Sequence, residues 1–168
     1  ADFPKPTVPE ANPMSAAKVE LGRYLFYDLQ LSGNGQQSCA SCHHQDKAFT
    51  DGKVVSVGST GEHLLRNAQG LANVAYMPTL TWANPSLVSL EAQMQVPLFG
   101  DNPVEMGIND RNKAEVLGRI QNDAQYKTLF SDAYPSDNSP ITYNNIVRAI
   151  ASFQRSLISA NSTYDQML

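Results

Sequence analysis

Gln37-Ser38-Cys39-Ala40-Ser41-Cys42-His43-His44 is the stretch that decides the fold. It holds both cysteines of the 168-residue chain, with a histidine directly after the second. Two cysteines build no disulfide framework, and three readings compete for them: a redox pair, half of a zinc site, or a haem attachment site. A redox pair needs no following histidine and sits after a strand of a βαβ unit, a pattern the sequence lacks. A zinc site needs two further ligands, and only His44 and His63 remain as histidines. The haem reading uses every residue of the motif. Two thiols add to the two vinyl groups of a porphyrin, and the adjacent His43 is carried under the ring to bind iron. The expectation is one covalent haem c on Cys39 and Cys42, with His43 as iron ligand.

Composition is consistent with a packed domain. Hydrophobic residues make up 42% of the chain, which argues against disorder. No apolar run approaches the roughly 18 residues of a membrane span. The net charge of −4, with acids and bases interspersed, argues against nucleic acid or an anionic membrane as partner. In bacteria haem is attached to thiols outside the inner membrane, so the motif implies a periplasmic location. Ala1-Asp2-Phe3-Pro4 shows no basic, apolar leader, as expected of a mature chain whose signal peptide is gone.

The expected class is all-α, a cytochrome c-like haem domain with long loops. Residues 1–14, with Pro4, Pro6, Pro9 and Pro13, form an extended N-terminal arm; 15–168 form a single domain. A helix runs from about Ser15 to Tyr27 on Val19, Leu21, Leu25 and Phe26. Gly33-Asn34-Gly35 breaks the chain before the haem motif, and 45–66 is loop with short strands at most. Pro85-Ser86 can start a helix that Pro97 ends. Asn112 with Glu115 suggests a capping box for a helix to Asn122, and a second helix spans Asp123 to Ala133. Thr142 opens a third, with Ile146, Val147, Ile150, Phe153 and Leu157 at helical spacing.

Several segments resemble one family in order along the chain. Leu21-Gly22-Arg23-Tyr24-Leu25-Phe26-Tyr27-Asp28, Leu31-Ser32, the haem motif and Phe49-Thr50-Asp51-Gly52 open the match. Arg66-Asn67-Ala68, Leu90-Glu91-Ala92-Gln93, Pro103-Val104-Glu105-Met106-Gly107 and Ile146-Val147-Arg148-Ala149-Ile150-Ala151-Ser152-Phe153-Gln154-Arg155 continue it. Together they resemble the first haem domain of the bacterial dihaem cytochrome c peroxidases and MauG-type enzymes. Three departures stand out. Members usually carry two haem domains, and this chain has one haem motif. The usual Trp-Asp-Gly-Arg reads Trp82-Ala83-Asn84-Pro85, without its arginine. Leu98-Phe99-Gly100-Asp101 lengthens the segment before Glu105, as in the branch linked to tryptophan oxidation on a partner protein.

The resemblance implies site residues. Glu105 is the candidate acid–base group, moving a proton between the peroxide oxygens; an ordinary solvated loop carboxylate is the plain alternative. Gln93 resembles the distal amide that bonds peroxide, against a polar residue on a helix face. Trp82 matches a tryptophan that relays an electron between haems, against simple core packing. Asn67 stands where the first domain contributes an oxygen to an interdomain Ca²⁺, against a turn-forming asparagine. His44 reads as a surface neighbour. The family's sixth-ligand histidine aligns with Ser59, so the expectation is an open or water-bound iron. His63 in the same loop, or Met77, Met94 or Met106, are the other candidates for that position.

The leading function is peroxidatic: hydrogen peroxide is reduced with electrons from a small redox protein, with a second haem domain or chain as a further partner. The alternatives are a protein-directed tryptophan-oxidising enzyme and a mono-haem c electron carrier.

Overall fold

The computed structural model describes residues 3–167. Six α-helices carry it: α1 (Ala16–Tyr27), α2 (Leu90–Gln93), α3 (Gln95–Phe99), α4 (Lys113–Asn122), α5 (Ala124–Ala133) and α6 (Tyr143–Arg155). Among the described residues there are no strands, only isolated bridges between His44 and Thr50 and between Val57 and His63. The expected all-α class and long loops are what the structure has.

The core forms where α6 crosses α1. Ile146, Ile150 and Phe153 of α6 pack against Leu21, Leu25 and Phe26 of α1, all nearly or fully buried. The crossing depends on Gly22, where a Cβ would lie 2.0 Å from the Ala149 carbonyl oxygen. Val116 and Ile120 of α4 and Tyr126 and Phe130 of α5 complete the apolar interior. Side-chain caps start these helices where the sequence placed them: Ser15 accepts from Lys18 N–H, Asp123 from Gln125 N–H, and Thr142 from Asn145 N–H.

Two expectations about helix ends need correction. Residues 85–88 do not open a helix; α2 begins at Leu90, capped by the Ser89 hydroxyl. Pro97 does not end one either. It sits third in α3, in the first turn, where a missing N–H breaks no helical bond. Asn112 precedes α4, yet no capping box forms. Its side chain instead donates to Gly107 C=O at 2.9 Å and accepts Asn109 N–H at 2.8 Å, while Glu115 pairs with Arg119.

The N-terminal arm is extended over residues 3–9 and then turns inward. Asn12 is buried, and its amide donates to Glu91, to Arg148 C=O and to Ser152. That knot joins the arm, α2 and α6. At its centre Arg155, 4% exposed, donates from Nη2 to both Glu91 oxygens at 2.9 and 3.0 Å.

Candidate functional site

The haem-motif residues open into one cavity of about 470 Å³, within the roughly 300–1,000 Å³ usual for cofactor sites. Cys39, Cys42 and His43 line it together with Gln93 and Glu105, and the rest of the wall is largely apolar. Cys39–Ser41 is a single 3₁₀ turn entered from Ser38, whose backbone and hydroxyl bond the Ser41 side chain. Neither thiol is in a disulfide. Burial pushes the Cys39 thiol up to about 12, and burial with the nearby Asp51 and Glu105 raises Cys42.

His43 Nδ1 lies 2.7 Å from Phe49 C=O. A carbonyl only accepts, so this nitrogen carries the proton and Nε2 keeps its lone pair for a metal. Burial lowers the imidazole below its usual value, which favours the neutral form that ligation needs. The turn presenting the carbonyl is unusual: Ala48 and Phe49 both have left-handed φ, 53° and 62°.

Glu105 belongs to the loop after α3. Its backbone C=O accepts Ser59 N–H at 2.8 Å, and Gly58 crosses Val104 so closely that a Cβ would sit 1.9 Å from the Val104 oxygen. Only glycine lets these two loops meet. Burial raises the Glu105 carboxyl above its usual range. No side-chain partner engages Glu105 or Gln93 among the described residues, which leaves both free toward the cavity. Glu105 is half-buried in the cavity wall, so the solvated-loop reading of it does not fit.

Trp82 is 56% exposed at the cavity wall, with its indole N–H donating to Asn67 C=O at 3.1 Å. It is therefore not a core residue. Asn67 lines the same rim, and among the described residues no cluster of three or more His, Cys, Asp or Glu suited to a metal occurs. A Ca²⁺ there would find one amide oxygen and need the rest from elsewhere. His63 is exposed, pairs its backbone with Val57 and is not among the lining residues; neither is Ser59. Met94 and Met106 line the cavity and are buried, whereas Met77 is 42% exposed. His44 lines a separate shallow depression with Tyr27 and Asp46.

These residues fit a covalently attached haem. Two free thiols and a tautomer-fixed imidazole share one apolar-walled space. Gln154, on α6, adds a buried amide oxygen that has no donor among the described residues and lines the same space. Nothing in the sequence marks Gln154, Asp51 or the Glu91–Arg155 pair for a role, because their burial and partners arise only in the folded chain.

Comparison with known proteins shows the family. Cytochrome-c peroxidase IdrP1 of Denitromonas iodatirespirans is 38% identical over 157 residues, covering 94% of this chain and 40% of that protein. Methylamine utilization protein MauG of Methylorubrum extorquens is 33% identical over 158 residues, covering 94% of this chain and 43% of that protein. The crystal structure of a MauG-like protein associated with microbial copper homeostasis superposes with a TM-score of 0.96 at 53% identity, over 98% of this chain and 47% of that one. This chain thus spans less than half the length of each. The family model for di-haem cytochrome c peroxidase matches residues 16–168. With 153 consecutive residues matched, the chain belongs to the di-haem cytochrome c peroxidase family.

Proposed function

We propose that this chain is the peroxidatic haem c domain of a periplasmic dihaem peroxidase-like oxidoreductase. Hydrogen peroxide is its substrate, a small redox protein its electron donor, and a second haem domain or chain its partner. The observation that carries the reading is Glu105: a half-buried carboxylate with no side-chain partner in the cavity lined by Cys39, Cys42 and His43.

Cys39 and Cys42 would hold a haem through thioethers, and His43 Nε2 would bind its iron. When bound, the haem supplies the redox-active metal at which peroxide is reduced. Overall, peroxide takes two electrons and two protons and leaves as two waters. Glu105 accepts a proton from the nearer peroxide oxygen and returns it to the farther one, so that the farther oxygen departs as water. Its raised carboxyl suits a group that must hold as well as release a proton. The Gln93 amide donates to the peroxide and orients it. The apolar wall limits competing water.

Glu105→Gln tests this in the haem-loaded protein by stopped-flow mixing with peroxide. The amide keeps the shape but carries no proton, so the reaction slows by about 10²–10⁴-fold while cyanide still binds. A rate within about threefold of the parent removes Glu105 from the mechanism.

The exposed Trp82 favours a second reading, protein-directed tryptophan oxidation, because an oxidisable ring on the rim is open to a docked protein. A mono-haem electron carrier needs a filled sixth position, for which Met94 and Met106 are the buried candidates. Low-spin bands in the resting spectrum would support that carrier, and high-spin bands the peroxidase.

A further inference from the structure

One layer behind the cavity wall lies a buried carboxylate that the peroxide chemistry does not use. Asp51 is 2% exposed. Its Oδ1 accepts Lys53 N–H at 2.9 Å and its Oδ2 accepts the Ser56 hydroxyl at 2.7 Å. Ser56 is 1% exposed and lines the same cavity as Cys42. The carboxylate is therefore one hydroxyl removed from the cavity that Cys42 lines.

Asp51 also follows directly on the turn that serves His43. His44 N–H bonds Thr50 C=O at 3.1 Å, the Thr50 hydroxyl donates to Ala68 C=O at 2.6 Å, and Lys47 Nζ donates to Asp51 C=O at 3.1 Å. Between these anchors Ala48 and Phe49 hold their left-handed backbone, which persists only where surroundings enforce it. The product of the turn is the Phe49 carbonyl on His43 Nδ1. Burial works against a charge on Asp51, yet the bonds from Lys53 and Ser56 hold the carboxyl below its usual value. Lys47 and Lys53, the cations facing it, are exposed, and water screens them. The buried charge acts through protein, where screening is weaker.

We propose that Asp51 is a positioning residue that keeps the reduction midpoint of the haem on Cys42 and His43 low. It acts by a fixed negative charge held behind Ser56, next to the turn that hands Phe49 C=O to His43. The inference rests on the haem attachment proposed above. One-electron reduction adds a negative charge to the group, and a carboxylate fixed nearby opposes that addition.

The test is a redox titration of the haem-loaded chain and its Asp51→Asn variant. The amide keeps the shape, still accepts Lys53 N–H, and can donate to Ser56, whose hydroxyl reverses. The reduction equilibrium should shift toward the reduced form by about tenfold, an upward move of about 59 mV for one electron. Asp51→Glu, which keeps the charge, should restore most of the parent midpoint, a rescue that a loss of packing would not give. Ser56→Ala should move the midpoint in the same direction by a smaller factor, and it carries the test if Asp51→Asn does not fold. An unmoved midpoint in Asp51→Asn, or in Ser56→Ala where Asp51→Asn does not fold, overturns the assignment. The mass of each sample is measured alongside: missing covalent haem sinks the attachment itself, not the role of Asp51.

Discussion

Gly58→Ala should slow the reaction with peroxide without touching any residue that meets peroxide or haem. An added Cβ would lie 1.9 Å from the Val104 carbonyl oxygen, whereas ordinary contact begins at 3.4 Å. The blocking atom is backbone, so no side chain can rotate away. The two loops must part by about 1.5 Å, and the bond from Ser59 N–H to Glu105 C=O, now 2.8 Å, must stretch or break. Glu105 follows Val104 directly, so its carboxyl moves with it. A misplacement of about 1 Å can cost on the order of 10²-fold in rate. Cys39, Cys42, His43 and Gln93 stand on other segments, so haem content and the resting spectrum should match the parent. Stopped-flow mixing at matched peroxide concentration is the assay, with a thermal melt to show that the variant is folded. A folded variant reacting within about threefold of the parent would refute the claim that Gly58 sets the position of Glu105.

Glu91→Gln leaves Arg155, 4% exposed, without its counter-charge, and denaturant unfolding should show a loss of about 3–5 kcal/mol. Asn12 and Arg155 hold the Glu91 carboxyl below its ordinary value of 4.5 against the opposing effect of burial. Its contribution is therefore present above pH 4.5 and lost as pH falls below it, so the parent should lose stability on that acid limb and Glu91→Gln should not. Glu105 runs the other way: raised by burial, it favours the folded state below pH 4.5, and this is lost as pH rises. The melting temperature of Glu105→Gln should accordingly gain on the parent as pH climbs from that point. Gly118→Ala on α4, where a Cβ meets nothing within 4 Å, should raise stability by about 0.5–1 kcal/mol in the same unfolding assay. Peroxide given to the haem-loaded chain without an electron donor should add oxygen at Trp82, which is 56% exposed on the cavity rim. Peptide mapping that finds the damage at Tyr76, whose hydroxyl bonds Pro4 C=O, would contradict this.

Local signals were legible and long-range ones were not. The apolar spacing of α6 and its Thr142 cap lie within one stretch of chain, and the helix forms as read. The 3₁₀ turn Cys39–Ser41, to which no expectation was attached, carries Cys39 and leads into Cys42, and both line one cavity. Pro97 lies inside α3 because proline stops a helix only where an N–H is needed, and the first turn of α3 needs none. The Asn112–Glu115 box failed to form because Gly107 and Arg119 offered those side chains better partners. Glu105 and Gln93 came from the family resemblance. Spacing alone cannot bring residue 105 to residue 39; the close crossing of Gly58 and Val104 does that, and it is a tertiary event. Glu91 and Arg155 meet across 64 residues, and no periodicity marks such a pair. Asp51 stands within Phe49-Thr50-Asp51-Gly52, but its burial and its bond to Ser56 appear only once the loop is folded.

The proposed chemistry depends on a haem joined to Cys39 and Cys42. The most direct measurement is the intact mass of the protein isolated from a cell that matures c-type cytochromes, taken after denaturation and acid–acetone extraction. The account predicts the mass of the polypeptide plus one haem, falling to the bare polypeptide when both cysteines are changed to alanine. A bare polypeptide mass for the parent, from cells that attach haem to a control cytochrome, would contradict it.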